Sequence, residues 1–329
     1  MKSRQKSWLR HLSKITVLAT LFLIFVGALV KSHEVGLSVP DWPTTYGEQM
    51  FSFPLSKMVG GIFYEHGHRL MATIVGFLML VQALWLGISD EKVWLKKLGY
   101  TALATVILQG ILGGITVLFF LPTVVSIIHG IMAQTFFILT IIIAYCLSNE
   151  REKWPEKSNL VQPVYRGALI IFGMVYIQLI LGAIMRHTSS GLAIPDFPTM
   201  GGLFLPNFSD IMVNNINVIL FDIDQDMVSK KQVVIHFIHR FGSALVTIAT
   251  FYFFFQCRKI PGNHRDIFHT LSLIVITLIV QVALGVITVV TGKEPYIASF
   301  HVVNGALLLG LCTLLVLQSA PKKLHDWMI

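Results

Sequence analysis

Apolar residues run along this chain in eight stretches, near 14–31, 62–87, 97–118, 126–147, 165–186, 232–256, 267–290 and 297–318. Each is long enough to cross a ~30 Å hydrocarbon core as a helix, which takes about 20 residues. The polar segments between them alternate in charge. Arg4, Lys6, Arg10 and Lys14, with Lys2, lead into the first stretch; Lys92, Lys96 and Lys97 follow the second. Arg151, Lys153 and Lys157 follow the fourth, Arg258, Lys259 and Arg265 the sixth, and Lys322 and Lys323 the eighth. The positive-inside rule then places both termini in the cytoplasm and turns 32–61, 119–125, 187–231 and 291–296 outward. The basic start before "ITVLATLFLIFVGALV" also has the look of a signal peptide, but no convincing small-residue cleavage site follows, so the first span is expected to be kept.

Composition agrees with this pattern: 54% of residues are hydrophobic and 13% charged, against roughly a quarter charged in a soluble domain. The net charge of +8 is not a nucleic-acid signal, because the positive residues lie between spans; membrane lipid is the expected surroundings. Cys146, Cys257 and Cys312 fall in or at the ends of predicted helices on the cytoplasmic side, which suggests neither a disulfide nor a cysteine-based metal site.

The chain is written twice. "GALVKSHEVGLSVPDWPT" (27–44) recurs as "GAIMRHTSSGLAIPDFPT" (182–199), offset by 155 residues. "EHGHRL" (65–70) recurs as "HFIHRF" (236–241), offset by 171, and "QGILGGITVL" (109–118) as "QVALGVITVV" (281–290), offset by 172. The jump in offset places an insertion in the second outer loop, including "FDIDQDMV". The expected fold is an all-α integral membrane protein with eight transmembrane helices. They form two parallel-repeat four-helix bundles, residues 1–150 and 165–329, joined by a cytoplasmic linker over 151–164. An even number of helices gives both units one orientation, related by a pseudo-two-fold axis along the membrane normal.

Of twelve histidines, four occupy matched positions: His68 with His239, and His129 with His301. All fall in the first turns of helices that start at the outer side, two per unit. Such a pair suits bis-histidine ligation of a haem standing between helices; the plainer reading is two core histidines bonded to backbone. Arg69 and Arg240 directly follow two of these histidines, and Lys31 and Arg186 end the first helix of each unit. These cations could meet haem propionates or snorkel to the lipid interface. The repeat breaks at Glu65, which aligns with His236. Three residues before His68, Glu65 shares its helix face, and could act as acid, base or cation stabiliser, or anchor a histidine. His66 points elsewhere and reads as structural.

These elements resemble one family, the haem A synthases of bacteria and mitochondria. The resemblance rests on Glu65-His66-Gly67-His68-Arg69, on Gly36-Leu37-Ser38-Val39-Pro40-Asp41-Trp42-Pro43, on His239-Arg240, and on His129 and His301. It implies oxidation of the C8 methyl of haem O to the formyl group of haem A. The first unit, with Glu65, would bind haem O as substrate, and the second would hold haem b. It also implies a multi-pass protein of the cell's inner (plasma) membrane with haem sites near the outer face. Haem O synthase as supplier, a quinone or other electron acceptor, and a second copy of the chain are the partners this admits; nucleic acid is not. Some members carry a cysteine pair in the first outer loop, absent from "SVPDWPTTYG" here. Two other classes stay open: a di-haem b-type electron carrier linked to quinone, and a haem-binding chaperone without chemistry.

Overall fold

The computed structural model describes residues 3–152, 162–258 and 265–321. Lys2, Lys153, Lys157, Lys259, Lys322, Lys323 and most of the 151–164 linker lie outside the described residues. Ten α-helices follow in chain order: α1 (Ser3–Ser32), α2 (Gly61–Ile88), α3 (Val93–Leu118), α4 (Thr123–Cys146), the single-turn α5 (Asn149–Glu152), α6 (Gln162–His187), α7 (Asp210–Asp222), α8 (Lys230–Cys257), α9 (Arg265–Val290) and α10 (Pro295–Gln318). No strand occurs among the described residues. Eight of the helices are long and apolar enough to cross a membrane, and they coincide with the eight apolar stretches. The chain is therefore a multi-pass membrane protein.

The largest difference in a span's bounds is at α1, which begins at Ser3 rather than near residue 14. Polar residues there do not stop a helix, and Arg10 gives the extension a tertiary anchor. Its Nε donates to the Leu147 carbonyl at 2.8 Å, just past the end of α4, where helix carbonyls lack partners.

Neighbouring helices close two rings. α1 packs on α2 and α4, and α3 on α2 and α4; α6 packs on α8 and α10, and α9 on α8 and α10. Leu9, Val75, Met79, Ala83, Leu86 and Phe136 are among the buried side chains of the first core, and Ile171, Val175, Leu271, Ile274 and Leu309 of the second. α1, α4, α6 and α10 meet between them. Phe25 lies 5.1 Å from Phe300, the Tyr64 and Tyr296 hydroxyls are 3.0 Å apart, and Ser299 Oγ donates to Ser32 Oγ at 2.9 Å.

α7 is an element the apolar stretches do not announce. It is the insertion in the loop between α6 and α8. The Ser209 side chain caps it by accepting from the Met212 amide. Met212, Val213, Ile216 and Leu220 form one buried face, packed on Leu192, Ala193, Ile194, Val228 and Val233. Asn217 fastens it further: Nδ2 donates to the Val228 carbonyl at 3.1 Å, and Oδ1 accepts from the Val228 amide at 2.8 Å.

Candidate functional site

Each of the four repeated histidines lies against a glycine of a neighbouring helix. A Cβ built on Gly27 would come within 2.9 Å of His68 Cε1, and one on Gly182 within 3.2 Å of His239 Cε1. The corresponding distances are 3.6 Å from Gly113 to His129 and 3.0 Å from Gly285 to His301. Gly27 and Gly182 match in the repeat, as do Gly113 and Gly285. The fold thus opens a slot for His68, His239 and His301, whereas a Cβ on Gly113 would only touch His129 at ordinary contact distance. His68 lies within electrostatic range of His129, and His239 within range of His301. Two of the four rings, His68 and His129, have a buried Nδ1 without a hydrogen-bond partner among the described residues. Paired imidazoles in glycine-opened slots, with uncompensated ring nitrogens, fit a planar group ligated from both sides.

Glu65 is 3% exposed and both its oxygens are engaged. Oε2 accepts from the Val39 amide at 2.8 Å, and Oε1 from Arg69 Nη2 at 2.8 Å. Its counterpart His236 occupies the same place: Nδ1 lies 3.1 Å from the Ile194 amide and Nε2 3.1 Å from Arg240 Nε. Carboxylate and imidazole are interchangeable for holding the loop, but only the carboxylate brings a negative charge.

The arginines hold the loops that follow α1 and α6. Arg69 donates to the carbonyls of Asp41 (2.7 Å), Thr44 (2.9 Å) and Val39 (2.8 Å). Arg240 donates to those of Asp196 (2.8 Å), Thr199 (3.3 Å) and Ile194 (2.8 Å). With the Glu65 and His236 contacts, each guanidinium makes four hydrogen bonds. The clamp has no local signature in the sequence beyond the repetition of its parts, the loops at an offset of 155 and the arginines at 171. Arg186 bridges the halves, Nη2 donating to the Ala28 carbonyl at 2.6 Å and to Ser32 Oγ at 3.0 Å, and no carboxylate pairs with it among the described residues. Lys31, at the end of α1, is within electrostatic range of His187. His66 is buried, its Nδ1 3.0 Å from Thr45 Oγ1.

In the loops themselves, Asp41 accepts from the Tyr46 and Gly47 amides at 2.8 and 2.9 Å and from Thr44 Oγ1. Asp196 accepts from Gly201 and Gly202 at 2.7 and 2.9 Å. Burial pushes the Asp41 carboxyl up, but the bonds from Gly47, Thr44 and Tyr46 outweigh it and hold the group below the usual carboxylate range. The Trp42 ring covers Gly114, where a Cβ would come within 2.6 Å of it; Phe197 lies 52% exposed, under the Arg240 guanidinium.

Three relatives align over almost their whole length and over almost all of this chain. Heme A synthase of Halalkalibacterium halodurans is 25% identical over 319 residues, covering 95% of this chain and 98% of its own. That of Shouchella clausii is 26% identical, covering 96% and 98%. That of Pelagibacter ubique is 25% identical, covering 96% of each. The sequence profile of the COX15-CtaA cytochrome oxidase assembly proteins matches residues 10–313. With a match across nearly the whole chain, the protein belongs to the COX15-CtaA family of cytochrome oxidase assembly proteins.

Proposed function

We propose that this protein is a haem A synthase, an oxidoreductase that converts the C8 methyl of haem O to the formyl group of haem A for terminal oxidases. Residues 1–150 and 165–329 act as two four-helix units related by a pseudo-two-fold axis along the membrane normal, joined by the linker 151–164. The observation that carries the reading is the pairing of four histidines, three of them in glycine-opened slots, across a repeat that is broken at one carboxylate. His68 and His129 hold the haem O substrate, and His239 and His301 hold haem b, both near the outer face of the plasma membrane with the termini inside.

Bound haem iron supplies the redox chemistry. The chain's own residues set position and charge. The glycine slots align the imidazoles. Glu65, fixed by Val39 and Arg69, presents its negative charge to the first pocket, where it stabilises positive charge developing on the substrate or orients a water. Arg69 and Arg240 tie the outer loops over the pockets, and Lys31 and Arg186 face the propionates from the ends of α1 and α6. Haem O synthase as donor and a quinone as electron acceptor complete the scheme.

Expression in a host that makes haem O, followed by pigment extraction and chromatography, tests this. Haem A or its hydroxylated precursor is expected; finding only haem O and haem b would refute the synthase reading and favour the di-haem electron carrier.

A further inference from the structure

Burial of one apolar face does not exhaust the apolar side chains of α7. Opposite Met212, Val213, Ile216 and Leu220, a second row of Ile211, Val218 and Phe221 stands 73%, 60% and 72% exposed. Positions seven and three residues apart fall along one side of a helix, and Asn214 completes the row. The flanking segments add Phe204 and Leu205 before the helix and Ile223 and Met227 after it, all exposed. A helix bathed in water on one side shows polar residues there. α7 does not, and among the described residues nothing covers the row.

The depth of α7 identifies what does. Its buried face packs on Val233 and Phe237, which belong to the first two turns of α8. At 1.5 Å per residue the 28 residues of α8 run about 42 Å, longer than the ~30 Å of hydrocarbon a span must cross. Lys230 and Lys231 open α8 and are exposed, which keeps that end of the span at headgroup level. α7 therefore lies beside turns that pass through the headgroup layer. Aromatic contacts carry its surface onto the lipid side of the span. Phe208, two residues before α7, meets Phe237 edge-on at 5.3 Å, and Phe237 stacks on Phe241 at 5.9 Å. Phe241 is exposed, as are Ile238, Leu245 and Ile248, a three- and four-residue spacing that marks one side of a helix.

We propose that α7 is a membrane-surface helix whose row of Ile211, Val218 and Phe221 enters the boundary between headgroups and acyl chains, on the side of the bilayer where α8 begins. Burial of apolar area drives the contact. Asp210, Asp222, Asp224 and Asp226 border the row and are exposed, so anionic headgroups repel this segment and zwitterionic lipid is its partner. The docked helix is braced from both sides. Lipid holds one face, and Leu192, Ala193 and Ile194 hold the other. His236 accepts from the Ile194 amide and Arg240 donates to the Ile194 carbonyl, so the bilayer becomes part of what keeps this loop in place. The inference is independent of the haem reading.

All three native cysteines are buried, so a nitroxide label can be placed at Val218→Cys in the full chain, reconstituted in phosphatidylcholine vesicles. Power-saturation electron paramagnetic resonance then compares collisions with oxygen, which concentrates among acyl chains, and with a water-soluble nickel chelate. Oxygen collisions should dominate and nickel collisions should be largely lost, with the label roughly 5–10 Å into the headgroup–acyl boundary. In the same background, Ile211→Asn with Phe221→Asn should return the label to the nickel chelate. Slow exchange of the Val228 amide, which donates to Asn217, identifies samples in which α7 is still packed. A label at 218 open to nickel in the otherwise unaltered chain lies in water and overturns the inference. A label shielded from both reagents overturns it too, because protein then covers the row, either a second copy or a partner with a basic rim. So does a packed double variant whose label stays with oxygen.

Discussion

Glu65 shows what a single position can carry. The repeat makes it visible, since its counterpart is His236, and Arg69 four residues on is readable as a same-face partner. What could not be read is that Val39, 26 residues away, takes the other oxygen. Since His236 performs the same loop-holding task, Glu65→His should keep the first outer loop and haem binding but lose the carboxylate's charge. Extracted pigment should then contain haem O and haem b with no haem A; a variant that still makes haem A would reduce Glu65 to an anchor.

Helices and loops were legible to different degrees. The eight spans follow from length and composition alone, because a helix in lipid must satisfy its own backbone. α7 escaped notice because a 13-residue amphipathic helix needs a surface to pack on, and its apolar face looks like ordinary loop residues until Leu192–Ile194 are placed beneath it. Asn217→Ala should remove both bonds to Val228, costing about 1–3 kcal/mol of local stability for the buried partner left unsatisfied. Limited proteolysis should then cut first between residues 217 and 228. The Asp41 turn gives a pH-dependent counterpart. Its folded carboxyl titrates below the ordinary value of about 3.9, so the stabilisation is complete above that value and is lost as pH falls through the lowered one. Asp41→Asn should speed amide exchange at Tyr46 and Gly47 at neutral pH, and variant and wild type should converge once the pH drops below the folded carboxyl's titration.

For the whole molecule, the proposed division of labour makes the two histidine pairs unequal. His239→Ala or His301→Ala should abolish most of the low-spin haem b absorbance, and His68→Ala should leave most of it; difference spectra of purified variants decide this, and equal losses from all three would count against two specialised sites. The sequence by itself determined the number of spans, the internal repeat, the candidate histidines and the one place where the repeat breaks, because all of these are properties of local composition and spacing. Only the tertiary structure decided what each polar group does. Arg69 and Arg240 hold loop carbonyls 25 to 46 residues away, Arg186 reaches back 158 residues to Ala28, and Gln178 lies 61 residues from His239. A donor inside apolar surroundings takes whichever acceptor the packing brings within 3 Å or so, and helix packing, not spacing along the chain, selects it.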